Sequence, residues 1–374
     1  MKDTIAAAAP QDAAPQDAAP QDAVSAADPG QRRRRRLLTG TLAAAGIAVA
    51  VLLWAKWYPY ALKIPVVAES HTLGNSVLSG PASAPPAPSW NAAVEYSLGY
   101  LASIWQAMVA GLLVAAAVEA FLPARRLLAL FRARRGPAVS TAWGGLLSMS
   151  SMMCTCCAAP VALNIRRRGV PVSTALAYWL GNPVLNPAAL AFMAFVLPWQ
   201  FVAVRIGTGV VLVFGVTLLV SRLAKGTSVD EPAEAADESV PAGSAVGRFG
   251  RALVRLAVRL LPEYAVVLML LGGFRGWLFP EAGTLASWGF AAVVMLAVAG
   301  TLFVIPTAAE IPIIGALMAA GVGMGPLGAL VLTLPALSLP SMLMVRGAFP
   351  GRVIVATGRR SWRWAWWARW PWRC

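Results

Sequence analysis

The sequence predicts an all-α polytopic membrane protein, an inverted structural repeat with two re-entrant, broken hairpins and about eight membrane segments of roughly 20 residues each. Three observations lead there. First, the 374 residues are 58% hydrophobic and only 13% charged, where a soluble globular chain is about 25% charged. Second, 31 Lys and Arg against 16 Asp and Glu give a formal charge of +15, and the arginines alternate with long apolar blocks, as basic cytoplasmic loops do. Third, the chain matches itself at an offset of 152 residues. The composition excludes disorder for most of the chain, and four cysteines are too few for a disulfide scaffold.

Residues 1–36 form a tail. Its Pro-Gln-Asp-Ala unit recurs at Pro10, Pro15 and Pro20, with too little bulky apolar surface to offset the entropy of ordering. Arg32–Arg36 then hold this end in the cytoplasm ahead of an anchor helix at 37–57. A twin-arginine export signal shares the Arg-Arg pair, but no clear cleavage site follows. Residues 58–96 read as a periplasmic loop, 97–221 as the first repeat, 222–255 as a cytoplasmic linker and 256–345 as the second repeat. In the linker, Asp230, Glu231, Glu234, Asp237 and Glu238 with Pro232 and Pro241 mark a solvated connector. The tail 346–374 carries seven arginines, and six tryptophans from Trp362 to Trp372 suit it to lie on the bilayer surface. Stacking Trp and Arg also suit nucleic acid, but a membrane protein is expected to have no such partner.

Full spans are expected at Leu37–Trp57, Ser97–Leu122, Val170–Leu197, Phe201–Ser221, Leu256–Phe279 and Pro326–Val345. Two further blocks, Ala142–Ile165 and Ala286–Ala319, contain helix breakers. Arginines flank the first block on both sides, at Arg125–Arg135 and Arg166–Arg168, so it dips in and out from the cytoplasm. The second has no Lys or Arg on either flank and is read as dipping from the periplasm, although Ala286–Ile305 alone is long enough to span. Both termini then face the cytoplasm of a bacterial inner membrane.

At the offset of 152, Pro160 falls on Pro312, Gly169 on Gly321, Val170 on Val322 and Pro183 on Pro335. Asn186-Pro187 is echoed by Ser338-Leu339-Pro340. An odd number of crossings between equivalent points makes the repeats inverted. Inverted repeats with interrupted helices mark secondary transporters, and the interruptions point at the substrate site. A duplicated scaffold without transport is the plainer alternative.

The first interruption holds Met149, Met152, Met153, Cys154, Cys156 and Cys157. Thiolates and thioethers select soft metals or metalloids, and Cys154 and Cys156 are the expected ligand pair. The plain alternative is packing by small, pliable side chains; a membrane thiol–disulfide redox protein is the rival function. Glu310, in the second interruption, is an intramembrane carboxylate with no basic neighbour in sequence, a candidate for proton or ion coupling or else a hydrogen-bonded structural acid. Asn182-Pro183 and Asn186-Pro187 interrupt a span, and their amides and freed carbonyls suit a substrate path. Glu119 and Glu263 are expected to pair with Arg125 or Arg259. The single histidine, His71, leaves no His-based metal site.

Cys154-Thr-Cys-Cys-Ala-Ala-Pro-Val161, Arg166-Arg-Arg-Gly-Val-Pro171 and Gly181-Asn-Pro-Val-Leu-Asn-Pro-Ala188 resemble the bacterial predicted-permease family, which includes YraQ-type permeases and ArsP-type organoarsenical efflux permeases. Glu310-Ile-Pro-Ile-Ile314 through Pro335-Ala-Leu-Ser-Leu-Pro340 looks like its second motif, and His71–Leu78 like the YraQ-type branch. In the family's Cys-x-Cys motif, Cys157 replaces a usual Gly. The resemblance implies a permease, not an enzyme, needing no cofactor and partnered by the lipid bilayer and a small solute. It further implies efflux of a soft metal or metalloid species through Cys154, Cys156 and Cys157. A homo-oligomer is compatible with all of this.

Overall fold

The computed structural model describes residues 29–74, 87–132, 135–222, 244–278, 288, 290–302, 305–349 and 351–367. The tract before Pro29, most of the expected linker and the end of the Trp/Arg tail lie outside the described residues, which are helical and contain no strand.

Helix α1 (Pro29–Leu52) continues through a π-helical turn, Leu53–Trp57, into α2 (Tyr58–Ser70). The expected loop from residue 58 is thus helical as far as Ser70. Pro59 follows the π-helical turn as the second residue of α2, and its missing N–H leaves a carbonyl of that turn without a helical donor. His71, with φ of 53°, ends the helix.

Next come α3 (Trp90–Phe121), α4 (Ala124–Leu130), α5 (Pro137–Ser151), α6 (Thr155–Arg167), α7 (Val172–Val184) and α8 (Pro187–Val196). Helix α9 (Trp199–Val210) passes through a second π-helical segment, Val211–Val216, into α10 (Thr217–Ser221). The second half holds α11 (Ala245–Leu278), α12 (Phe290–Leu302), α13 (Glu310–Ala319), α14 (Met324–Ala336), α15 (Leu339–Val345) and α16 (Gly351–Trp367).

Five helical stretches among the described residues are long and apolar enough to cross a membrane: Leu38–Ser70, Trp90–Phe121, Val172–Val196, Trp199–Ser221 and Met324–Val345. The expected span at Leu256–Phe279 is a helix, α11, but starts at Ala245 and carries Glu263 and Arg275; it is not among the five. Both blocks with breakers are helix–break–helix units, α5–α6 and α12–α13. Exposed Leu42, Leu98, Trp199, Val258 and Val266 give the outside an apolar surface suited to lipid.

Helix boundaries repeat with the sequence. Helices α7, α8 and α9 start at 172, 187 and 199, and α14, α15 and α16 start at 324, 339 and 351, each 152 residues later. The turns after α6 and α13 repeat too. Gly169 (φ 88°) and Gly321 (φ 85°) are left-handed. The next amides, Val170 and Val322, reach back to Ile165 O and Leu317 O. This is the Schellman closure, in which glycine avoids the Cβ penalty.

Packing is reciprocal: α5 lies on α7 and α12 on α14, while α6 meets α15 and α13 meets α8. The halves also join through α3 against α11 and α7 against α14. Close approaches depend on glycine. A Cβ on Gly144 would sit 2.5 Å from the Thr174 carbonyl oxygen of α7, and one on Gly111 2.7 Å from that of Cys157. Gly144→Val is therefore expected to cost about 1–3 kcal/mol by overpacking. Thermal unfolding of the detergent-solubilised protein checks this; an unchanged melting temperature would contradict the α5–α7 contact.

Candidate functional site

The first break is built by local chemistry. Helix α5 ends as Met152 turns left-handed (φ 47°), and Cys154 is extended as N-cap of α6. Between them the amide of Met153 is outside any helix, and it donates to Asn182 Oδ1 at 3.1 Å. The Ser151 hydroxyl donates to the same oxygen at 2.5 Å, and Asn182 Nδ2 donates to Tyr178 O at 2.8 Å. Asn182 thus clamps the break from α7. Trp179 adds a bond from Nε1 to Thr155 O at 3.0 Å.

Restarting the helix at Thr155 decides which thiols meet. Residues three apart share a helix face, so Cys154 and Cys157 converge with their Sγ atoms 2.9 Å apart. Cys156 turns elsewhere, 3.5 Å from Ser338 Oγ of the second half. The structure therefore pairs Cys154 with Cys157, where the sequence suggested Cys154 with Cys156. All three are buried free thiols. No group of three or more His, Cys, Asp or Glu among the described residues is arranged to hold a metal ion. Cys156 and Cys157 line a small cavity of about 20 Å³ with Gly111, Pro160, Tyr264 and Met344. Pro160, lacking an N–H, leaves the Cys156 carbonyl without its intrahelical donor.

The break between α7 and α8 follows from Pro187. Its missing N–H strands the Pro183 carbonyl, while Asn186 Oδ1 takes the amides of Ala188 and Ala189 at 3.0 and 3.2 Å and so strands that of Val184. Arg205, a fully buried residue of α9, satisfies both carbonyls, through Nη2 to Pro183 O at 2.8 Å and Nε to Val184 O at 3.0 Å. Its Nη1 binds Glu310 Oε1 at 2.5 Å. Glu310, the first residue of α13, thus has a basic partner more than a hundred residues away in sequence. The Asn186 Nδ2 atom is buried with no hydrogen-bond partner.

The second half repeats the pattern in part. Pro335 ends α14, and its carbonyl accepts from Thr155 Oγ1 at 3.2 Å. Ser338 and Ser341 close a capping box on α15. Pro312 falls in the first turn of α13 and costs no intrahelical bond. Glu119 pairs with Arg255 at 3.1 Å, not with Arg125 or Arg259. His71 lies away from the breaks, its Nδ1 2.7 Å from Phe195 O.

Three buried cations were missed from sequence, Lys56, Arg205 and Arg275. Each is a lone charge inside an apolar run, and an intramembrane ionisable residue is a functional candidate by default. The sequence carries that signal at these positions as plainly as at Glu310.

Helices interrupted at the level of buried thiols and a buried ion pair define a polytopic membrane protein of the broken-helix type. Residues 89–357 match the model of the ArsP_1 family, described as predicted permease, and the chain belongs to that family. It is also 43% identical over 312 residues to the UPF0718 protein YraQ of Escherichia coli (strain K12), covering 83% of this chain and 88% of that protein. No solved structure matches it.

The ion pair yields a test. Removing one partner of a buried pair costs about 3–5 kcal/mol, because the other charge is left unpaired. Arg205→Met and Glu310→Gln are each expected to destabilise, and the double variant to lose less than the sum. Denaturant unfolding in micelles reads the coupling; strict additivity would contradict it.

Proposed function

We propose that this protein is a secondary transporter of the bacterial inner membrane, both termini cytoplasmic, that exports a small soft solute, a metalloid of the organoarsenical kind in the best case. The observation that carries the reading is the Cys154–Cys157 pair, two thiols 2.9 Å apart at the break of an apolar helix. Two converging sulfurs suit a trivalent arsenic centre that keeps one organic substituent, and soft ligands favour such a centre over hard ions. Cys156, one residue away and on the adjoining cavity, is a third thiol for hand-over.

Family membership supports the permease class. The recurrence of helix starts and glycine turns at one offset supports two structural repeats, which we take to be inverted, with the site between them. Asn182, Pro183, Asn186 and Pro187 shape the path by holding its breaks open. Glu310 is the proposed coupling residue: protonation would release Arg205 and the carbonyls it binds, loosening α7–α8 against α13. A homo-oligomer is compatible with this scheme.

Sensitivity of a bacterial strain lacking the gene, complemented with variants, tests the reading. Wild-type protein should restore resistance to trivalent methylated arsenic. Cys154→Ser and Cys157→Ser should each weaken it by about tenfold or more, as loss of a ligand does, and Glu310→Gln should abolish accumulation against a gradient in everted vesicles. Unaltered sensitivity to every soft ion and trivalent arsenical would overturn the substrate class. Altered partner disulfides with unchanged flux would favour the thiol-redox reading instead.

A further inference from the structure

The two halves answer the same backbone problem differently. At the α7–α8 break, Arg205 holds the Pro183 and Val184 carbonyls and is itself neutralised by Glu310. At the offset of 152, Pro183 and Val184 fall on Pro335 and Ala336, at the end of α14. Arg205 falls on Thr357 of α16, and Glu310 stands where the first half has Ala158 of α6. The α14–α15 break thus keeps the two carbonyls but has neither member of the ion pair in the equivalent places.

Ala336 is fully buried, and Pro340 has no N–H to give its carbonyl. Among the described residues no donor bonds that oxygen. The Pro335 carbonyl takes the Thr155 hydroxyl at 3.2 Å. Thr357 is 1% exposed, and its hydroxyl donates to Val353 O at 2.7 Å, which leaves its lone pairs to accept or to ligate. Its helix packs on α14 as α9 packs on α7. A Cβ on the next residue, Gly358, would lie 4.0 Å from Leu337 Cδ1, inside the break.

Freed carbonyls are costly inside a bilayer, and the C-terminal end of α14 adds the negative end of its dipole. The first half meets this demand with a cation. In the second half the available groups are neutral oxygens, from two carbonyls and two hydroxyls. Such a set suits a hard monovalent cation, since a divalent ion calls for carboxylates and Ala158 supplies none. Carbonyls at interrupted helix ends are recurrent ligands for Na+. We infer that the α14–α15 break binds a sodium ion, held by the Pro335 and Ala336 carbonyls with the Thr155 and Thr357 hydroxyls, in the role that the Arg205 guanidinium fills in the first half. The ion joins α6 and α16 to the end of α14, as Arg205 joins α9 and α13 to the end of α7. The site stands whatever the thiols bind.

The test uses the full chain in lipid nanodiscs in choline buffer, titrated with radiolabelled Na+. Wild-type protein should bind the label saturably, with displacement by sodium chloride and not by choline chloride. Thr357→Val keeps the shape without the hydroxyl and should weaken binding by about tenfold or more, as losing a supporting ligand does. Thr357→Ser should retain most of it. Thr357→Arg puts a guanidinium at the register position of Arg205 and should abolish it. Sodium should raise the melting temperature of wild type and Thr357→Ser but not of Thr357→Arg, and melting in choline shows whether each variant is folded. Should the Thr357 variants fail to fold, Thr155→Val removes the other hydroxyl and is expected to weaken binding as much. No saturable sodium binding by wild type, the result expected if water alone serves these carbonyls, would overturn the proposal. Equal affinity in wild type, Thr357→Val and Thr155→Val would do the same. Phenylarsine oxide binding in choline reads the thiols separately, so failure of one site is distinguished from failure of the other.

Discussion

A helix interrupted inside a bilayer exposes amides and carbonyls where no water can satisfy them, and each unsatisfied group costs several kcal/mol. This chain interrupts its helices between α5 and α6, α7 and α8, α12 and α13, and α14 and α15. Each of the first two is held by a polar side chain from elsewhere in the fold. Asn182 takes the amide freed after α5, and Arg205 takes the two carbonyls freed at the end of α7. Arg205 is tolerable there because Glu310 neutralises it. The ion pair is therefore a consequence of the Pro187 break, and it ties the two halves together at the level of the site.

The breaks in turn fix the chemistry. An uninterrupted helix would bury Cys154 and Cys157 with their backbone closed around them. Restarting the helix with Cys154 as N-cap gathers two thiols at its opening turn, next to a cavity that continues toward an arginine-lined vestibule. The halves share helix starts and glycine turns, but not chemistry. One break carries the thiols; the other carries Glu310, Thr307 and the Lys56 ammonium. The twofold scaffold thus holds unlike centres, a thiol pair in one half and the Glu310 ion pair in the other.

Much of this was legible in the sequence. Helix-breaking prolines and the offset of 152 located the interruptions, because Pro187, Gly169 and Gly321 act through backbone rules that need no tertiary context. The cysteine cluster was visible for the same reason. What was not legible depended on long-range placement or on helix phase. Glu310 looked unpartnered because Arg205 is distant in sequence. Cys156 looked like the mate of Cys154 until the restarted helix set a spacing of three. The extension of α2 to Ser70 was hidden by Pro59 and Pro65, which read as loop residues although Pro59 lies in the first turn of α2 and Pro65 within it. The asparagines were read as path-lining groups; their oxygens hold backbone amides, which only the structure reveals.

The central claim is that Cys154 and Cys157 together form the soft-atom site. Arsenic K-edge absorption spectroscopy of the full chain with phenylarsine oxide, in a Cys374→Ser background, tests it most directly. Two sulfur scatterers on arsenic are predicted, unchanged by Cys156→Ser and reduced by Cys154→Ser or Cys157→Ser. A spectrum without sulfur neighbours, or one that depends on Cys156 and not on Cys157, would contradict the account.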